Sequence, residues 1–175
     1  MTGGDGGLEW SELRHSPDMR IGFGFDAHEL RAGRRLVLGG VHLPGRRGLA
    51  GHSDADVLLH ALTDALLGAA ALPDIGTLFP DSDAATKDAD SAVLLSVAWR
   101  KVRKLGFRLA NADCVLVCDS PKIAPHALAI RERIAAVLKT DVGNVGLQGK
   151  TTEGTRLALK NRSIAAMVTV LLVRE

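Results

Sequence analysis

The chain has 175 residues, of which 46% are hydrophobic and 24% are charged, and its formal net charge is +2. This length and balance predict one globular domain with a sizeable core, and no apolar run reaches the roughly 18 uncharged residues that a membrane span needs. The basic residues are spread along the chain rather than gathered in one block, which argues against a dedicated nucleic-acid surface.

The first residues predict a tail followed by a strand. Residues 1–19 contain glycines and acids but no apolar segment typical of a signal peptide, so we expect a disordered tail before a single domain over residues 20–175. RIGFGFDAHEL then has the alternation of a strand, in which Asp26 and His28 point to the same side. An Asp-x-His pair could present a carboxylate and an imidazole to one metal ion, but alone it is a weak signal.

A hairpin and a long helix come next. LVLGGVHLP predicts a hairpin with Gly39 and Gly40 at its turn, and a flexible GRRGLAGH loop follows it. Residues 53–71 are mostly Leu, Ala and Val and predict a buried helix, with Ser53 as its N-cap and Pro73 ending it.

Three polar side chains interrupt this apolar helix. Asp56, His60 and Asp64 stand at i, i+4 and i+8 and therefore share one face. Unpaired charges are costly to bury, so the stripe is either a solvated edge of the helix or part of a site. Only partners from elsewhere in the chain can decide between the two.

The rest of the chain predicts a flap, two helices and three strands. The segment DIGTLFPDSD and the residues up to Asp90 are rich in Asp, Ser and Ala and predict a mobile flap. Periodicity predicts helices over residues 90–105 and 126–139, and strands over residues 107–118, 142–149 and 164–173. This order predicts an α+β fold, a mixed four-stranded sheet with helices on one face plus a small hairpin.

The two cysteines indicate the cellular compartment of the protein. Cys114 and Cys118 lie in the run DCVLVC, where four residues of strand span roughly 13 Å, beyond the reach of a disulfide. We therefore expect unpaired core thiols in a reducing, cytoplasmic compartment.

Joining the first strand to the long helix brings Asp26, His28 and His60 together as candidate metal ligands. Three protein ligands with an open fourth position are the usual form of a catalytic zinc site. Asp56 and Asp64, one turn either side of His60, are then expected to orient its ring.

Two further stretches are candidates for binding anions. His52 and Ser53, at the predicted start of the long helix, could hold a phosphate oxygen there, although a solvated loop histidine is the alternative for His52. GKTTEG follows a strand and offers Lys150 as a point charge and Glu153 as a ligand for a hard cation such as magnesium, although a simple turn is the alternative. Two cations and a phosphate site point to metal-assisted phosphoryl transfer.

These residues resemble the 2-C-methyl-D-erythritol 2,4-cyclodiphosphate synthase family of the non-mevalonate isoprenoid pathway. The match runs over residues 20–175 through RIGFGFDAHEL, the long GHSDADVLLHALTDALLGAAALPDIGTLFPDSD motif, the SPK-x-x-PH turn and TTEG. The resemblance implies a phosphorus–oxygen lyase that cyclises 4-diphosphocytidyl-2-C-methyl-D-erythritol 2-phosphate and releases CMP. It also implies a homotrimer whose sheets surround a threefold axis, with each active site between neighbouring subunits.

The resemblance also implies a role for individual residues. Asp26, His28 and His60 would hold zinc or another divalent transition metal, and Glu153 would hold magnesium or manganese. His52 and Thr151 would stabilise the transition state. The methylerythritol phosphate would contact Ser53, Asp74, Ile75 and Gly76, under a covering loop of Phe79, Pro80, Asp81, Ser82 and Asp83. The cytidine nucleotide would contact Cys118, Asp119, Ser120, Pro121, Lys122, Ile123 and Ala124, together with Gly149, Lys150, Thr151 and Thr152.

The chain departs from the family in one segment. Many members have Thr-Thr-Thr-Glu where this chain has Lys150 before TTE, and Leu157 and Lys160 replace an expected aromatic residue and arginine. Arg162 stands where an acid is usual. The segment lines the central cavity of the trimer in the family, so the resemblance does not carry a cavity ligand over to this chain.

Two other functions remain open at this point. A zinc-dependent phosphohydrolase would yield a linear rather than a cyclic product, and a catalytically silent trimer would bind a cytidine nucleotide or a protein partner without turnover.

Overall fold

The computed structural model describes residues 19–80, 89–155 and 162–175. Several predicted features lie outside these described residues, namely residues 1–18 of the tail predicted over residues 1–19, the covering-loop residues Asp81, Ser82 and Asp83, and Leu157 and Lys160. Met19, the last residue of that predicted tail, is instead the first residue of a strand. Within the described ranges, no helix is long and apolar enough to cross a membrane.

Within the part of the chain that the structure describes, seven strands form a main sheet and a separate hairpin. They are β1 Met19–Ala32, β2 Leu36–Leu38, β3 Val41–Leu43, β4 Arg47–Leu49, β5 Phe107–Val117, β6 Val145–Lys150 and β7 Ser163–Arg174. The main sheet has the order β4-β1-β7-β5-β6, in which only β5 and β6 run parallel. Strands β2 and β3 form the predicted hairpin, with Gly39 and Gly40 at its turn, both at positive φ as such a turn requires.

The prediction of a four-stranded sheet is wrong by one strand. The fifth strand, β4, lies in the GRRGLAGH segment that was predicted as a flexible loop, and it pairs with the end of β1. Three residues are too few for alternation to be read from sequence. The strand predicted over residues 142–149 begins only at Val145, because Val142–Asn144 form a 3₁₀ turn capped by Asp141.

The helices are α1 Val57–Ala69, α2 Ile75–Leu78, α3 Ser91–Lys104 and α4 Ala127–Leu138. Helices α3 and α4 agree with their predicted bounds to within a residue at each end. The short helix α2 was not predicted and lies in the segment predicted as a flap. The predicted start of the long helix at Ser53 is wrong: its N-cap is Asp56, because Ala55 has φ +58, in the left-handed region where a right-handed helix cannot continue.

One buried cluster joins α1, α3 and α4 to one face of the main sheet. Helix α1 lies very close to β1, because Gly22 and Gly24 face it. A Cβ on Gly22 would stand 1.8 Å from the carbonyl oxygen of Ala65, and one on Gly24 would stand 1.9 Å from that of Ala61. Any larger residue at either glycine would push the helix off the strand.

The opposite face of the sheet is apolar and exposed. Ile21, Phe23 and Phe25 alternate with the glycines of β1 and are 74%, 62% and 57% exposed. On the same side, a small cluster around Val117 and Ala165 packs with partly exposed neighbours on β5 and β7. Exposed contiguous apolar surface of this kind marks an interaction site.

The two cysteines are buried and unpaired, as predicted. Burial raises the pKa of the Cys114 thiol to about 12 and that of Cys118 to about 11.

Candidate metal centre

Asp26, His28 and His60 converge between β1 and α1. The Oδ2 atom of Asp26 lies 2.9 Å from Nε2 of His28 and 3.0 Å from Nδ1 of His60, and those two ring nitrogens are 3.3 Å apart. A tetrahedral ion with bonds of about 2.0–2.1 Å holds its ligand atoms about 3.3 Å apart. The three atoms therefore have the spacing of one face of a tetrahedral metal site, and they form a possible ligand group for such an ion.

The fold explains why these side chains meet. Every second residue of β1 faces α1, and the two elements touch at Gly22 against Ala65 and Gly24 against Ala61. Asp26 continues the same face of the strand one step towards the first turn of the helix, where His60 projects. The glycines thus bring the helix close, and the next positions on the strand carry the ligands.

The three side chains also change one another's protonation. Burial raises the pKa of Asp26, but hydrogen bonds and positive charge from His28 and His60 outweigh it, and the resulting pKa lies well below its ordinary value. The hydrogen bond to Asp26 raises the pKa of His28 above its ordinary 6.5, although burial opposes this. An ionised carboxylate beside two imidazoles is a donor set that suits zinc and other divalent transition metals.

The ligand group opens into a cavity of about 570 Å³. Six other residues predicted for the site also line it, namely His52, Ser53, Asp64, Ile75, Gly76 and Phe79. Asp74 does not line the cavity; its side chain caps α2 by accepting a hydrogen bond from Thr77, which lowers the pKa of Asp74. Pro80 is exposed and ends the described segment there.

The loop that carries His52 does not lie at a helix start. Because α1 begins at Val57, the expectation that His52 and Ser53 use the free N–H groups of a helix end is wrong. Instead, the guanidinium of Arg34 fixes the loop from behind. It donates to the backbone carbonyl oxygens of Leu49, Gly51 and Ser53, at 3.1, 3.3 and 2.9 Å.

The two acids that flank His60 on α1 have other partners than its ring. The carboxylate of Asp56 is fully buried and accepts four backbone N–H bonds, two from the hairpin turn at Gly39 and Gly40 and two from the first turn of α1. Burial raises the pKa of Asp56, and these donors oppose the rise. Asp64 accepts the N–H of Ile75, so it holds the start of α2, while burial raises its pKa. The prediction that both acids orient the His60 ring is therefore wrong.

Two serines contact the ring instead. Nε2 of His60 lies 3.0 Å from Oγ of Ser91 and 3.1 Å from Oγ of Ser53. Ser91 is the first residue of α3, and no sequence pattern indicates its role, because it lies 31 residues from His60 and so outside any local period.

The predicted nucleotide residues form a second group. Cys118 donates its N–H to the carbonyl of Lys150, and Thr152 donates both its N–H and its hydroxyl to the Asp119 carboxylate. Gly149 approaches Ile123 so closely that a Cβ would lie 2.8 Å from its side chain. The structure therefore brings residues 118–124 and 149–152 together, although none of these described residues lines the 570 Å³ cavity.

Thr151 and Glu153 adjoin this second group. The Thr151 hydroxyl donates to the Glu153 carboxylate, and Glu153 itself is exposed. Neither residue lines the cavity beside Asp26, His28 and His60.

One known protein family matches most of this chain. The model of the YgbB family matches residues 19–173. A 2-C-methyl-D-erythritol 2,4-cyclodiphosphate synthase from Aromatoleum aromaticum is 57% identical over 156 residues, which are 89% of this chain and 94% of the relative. The chain belongs to the YgbB family. Its resemblance to the cyclodiphosphate synthases is thereby confirmed, and the family is one of phosphorus–oxygen lyases.

Solved structures of family members share the fold. A 2C-methyl-D-erythritol-2,4-cyclodiphosphate synthase in its CDP-bound form is 42% identical, with a TM-score of 0.81 over 87% of this chain and 99% of that one. The bifunctional IspDF from Campylobacter jejuni is 41% identical, with a TM-score of 0.86 over 90% of this chain. This chain spans 42% of that longer protein. The mixed α+β architecture is therefore that of the YgbB family.

Proposed function

We propose that this chain cyclises 4-diphosphocytidyl-2-C-methyl-D-erythritol 2-phosphate to 2-C-methyl-D-erythritol 2,4-cyclodiphosphate. An oxygen of the 2-phosphate forms a bond to the β-phosphorus, the bond from that phosphorus to the bridging oxygen breaks, and CMP leaves. The observation that carries the proposal is the convergence of Asp26, His28 and His60 on one point of a cavity, in a chain that belongs to the cyclodiphosphate synthase family.

The proposed mechanism rests on positioning rather than on a protein nucleophile. Asp26, His28 and His60 would hold zinc, and Glu153 would hold magnesium or manganese. Bound there, the cations supply charge that offsets the phosphate oxygens and makes the β-phosphorus more electrophilic. The support for zinc is the ligand spacing of 2.9–3.3 Å and the low pKa of Asp26, which keeps its carboxylate ionised.

The remaining residues would orient the reacting phosphates. His52 and Ser53 line the cavity next to the ligand group and can donate hydrogen bonds to the 2-phosphate, and Thr151 would stabilise the charge that develops at the β-phosphorus. Ile75 and Gly76 line the same cavity and would contact the methylerythritol carbon chain. Holding the two phosphates of one substrate in line lowers the barrier, so the reaction needs no general acid or general base from the protein.

We propose further that the active unit is a homotrimer with its sheets around a threefold axis. Within one chain, the ligand group lines the cavity but residues 118–124 and 149–152 do not. A site between subunits would unite the ligand group of one chain with the cytidine pocket of the next. The exposed apolar face at Ile21, Phe23 and Phe25 is the surface that such an assembly would bury.

The location that we propose is the cytoplasm. The support is the chemistry of Cys114 and Cys118, which are unpaired core thiols.

Product analysis tests the reaction. Purified protein supplied with zinc and magnesium is expected to release CMP and to give the cyclic diphosphate, identified by phosphorus NMR. A strong chelator should abolish the reaction, and zinc with magnesium should restore it. His28→Ala should lose activity, whereas His42→Ala, at an exposed histidine of the hairpin, should keep it. A linear diphosphate would indicate a phosphohydrolase, and metal-replete protein that releases no CMP would refute the proposal.

Light scattering tests the assembly. We expect a mass three times the 18.5 kDa of the chain. Phe23→Glu places a charge on the apolar sheet face and should give monomers, whereas Leu128→Glu, at a 60% exposed leucine of α4, should leave the trimer intact. A monomeric parent protein, or equal behaviour of the two variants, would contradict the assembly.

A further inference from the structure

Behind the candidate metal centre, a chain of hydrogen bonds leads away from the cavity. It runs from the His60 ring to Ser91 and from Ser91 to Asp54. Ser91 is 1% exposed, so water cannot replace its partners. The residues of this chain come from three elements, namely α1, the first turn of α3 and the loop before α1.

The direction of each hydrogen bond follows from the chemistry of Asp54. Oγ of Ser91 lies 2.5 Å from Oδ1 of Asp54, and an ionised carboxylate can only accept. The backbone N–H of Ser91 donates to the other oxygen, Oδ2, at 3.2 Å. The single hydroxyl proton of Ser91 is therefore committed to Asp54, and its oxygen can only accept from His60.

This arrangement determines the tautomer of His60. Because Ser91 accepts, Nε2 of His60 must carry a proton. Without a metal ion, Nδ1 can donate to the Asp26 carboxylate; when an ion replaces that hydrogen bond, the neutral ring has its lone pair on Nδ1. Nδ1 is the atom that lies 3.0 Å from Asp26 and 3.3 Å from His28. The hydrogen-bond chain therefore directs a lone pair to the point where the other two ligand atoms converge.

Ser53 is the other hydroxyl near Nε2, at 3.1 Å, but its surroundings differ. Its oxygen already accepts the N–H of Ala55 at 3.1 Å, and no carboxylate contact fixes its proton among the hydrogen bonds of the described residues. Ser53 lines the cavity, whereas Ser91 does not. Oγ of Ser53 also lies 3.4 Å from Oγ of Ser91, so the Ser53 hydroxyl can donate either to Ser91 or to a ligand in the cavity, whereas the Ser91 proton is held by Asp54.

We propose that Asp54 and Ser91 are positioning residues that fix the His60 ring as the Nε2–H tautomer and thereby set the affinity of the metal centre. The proposal rests on the metal centre of the proposed function but not on the reaction. Partners of this kind behind a metal-binding histidine typically change metal affinity by roughly 10–100-fold when they are removed.

Zinc affinity of the substrate-free protein, measured by competition with a chromophoric chelator, tests this inference. Ser91→Ala is expected to weaken zinc binding by roughly 10–100-fold. Ser96→Ala is the matched control, because it removes a hydroxyl from the same helix at a residue whose contact is with exposed Arg100. It should bind zinc as the parent does. Zinc binding by Ser91→Ala within twofold of the parent, or a loss seen in Ser53→Ala alone, would overturn the inference.

Nitrogen NMR of the parent protein gives a second readout that requires no variant. In zinc-loaded protein, the His60 signals should show a proton on Nε2 and none on Nδ1. The opposite pattern would overturn the inference even if Ser91→Ala failed to fold. The affinities need no substrate, so a parent that binds zinc but releases no CMP would refute the proposed reaction and leave this inference standing.

Discussion

The buried carboxylate of Asp56 should be one of the strongest single contributors to stability in this chain. Its Oδ1 accepts three backbone N–H bonds at 2.9–3.1 Å, and its Oδ2 accepts the Gly40 N–H at 2.6 Å. These bonds join the hairpin turn to the start of α1. We test this with Asp56→Asn, which keeps the size of the side chain and one acceptor oxygen.

The amide of Asp56→Asn can keep the bonds of Oδ1 but places an NH₂ group against the Gly40 N–H. The loss of one charge-assisted hydrogen bond is worth about 1.5–3 kcal/mol, and a buried unsatisfied donor costs about 1–3 kcal/mol. The raised pKa of Asp56 shows that burying its charge is itself unfavourable, and the neutral amide avoids that cost. We therefore expect a loss of about 3 kcal/mol in the free energy of unfolding, at the lower end of the summed range.

Urea denaturation measures this loss. The chelator-treated proteins are compared at one protein concentration, because metal binding and association both shift apparent stability. Asp90→Asn is the matched control: Asp90 is the N-cap of α3, but it is exposed and accepts only the Ala92 N–H in the cap. Since Asn caps helices as well as Asp does, this control should lose less than about 1 kcal/mol. Equal losses in the two variants, with unchanged m-values, would refute the reasoning.

Three further outcomes are expected. Gly24→Ala should cost several kcal/mol of stability or prevent folding, because its Cβ would stand 1.9 Å from a helix carbonyl oxygen. Gly68→Ala, whose Cβ would have no neighbour within 4 Å, should instead stabilise α1 by about 0.5–1 kcal/mol. Thermal melts compare the two variants. Arg34→Lys should lower the free energy of unfolding, measured by urea denaturation, by about 1–2 kcal/mol, because one ammonium cannot reach three carbonyl oxygens. The control Arg35→Lys, at an exposed arginine, should change it by less than about 0.5 kcal/mol. Since the pKa of Cys118 is raised to about 11, its thiol should resist a thiol reagent at pH 8 until the protein unfolds, and labelling without denaturant would contradict this. The free energy of unfolding should also fall as the pH rises from about 9 to 11, because over that range only the thiol of the unfolded chain ionises.

The sequence predicts the direction of a side chain better than its partner. The periods of strand and helix place Asp26 and His28 on one side of β1 and His60 on one face of α1, and the structure brings these three together. The same helical period gave Asp56 a place beside His60, but Asp56 lies one turn away at the end of the helix, where free N–H groups compete for its carboxylate. Periodicity alone does not predict which of these partners the Asp56 carboxylate binds.

The partners of His60 lay beyond local reasoning for another reason. Ser91 and Asp54 are joined only because α3 begins where the loop before α1 passes, and such a contact depends on packing between distant segments. Ser53 and Asp56 are equally good N-cap residues by type. The choice between them was made by the left-handed backbone of Ala55, which no residue preference predicts for alanine.

Strand β1 shows how the period of two can separate two functions in one segment. Its even-numbered residues, from Gly22 to His28, face α1 and supply the close approach and two of the ligands. Its odd-numbered residues, among them Phe23, form the exposed apolar face. A substitution on the odd side therefore reaches the assembly without removing a ligand, so Phe23→Glu should give monomers that still bind zinc. Loss of zinc binding in those monomers would show instead that the metal centre depends on the neighbouring subunit.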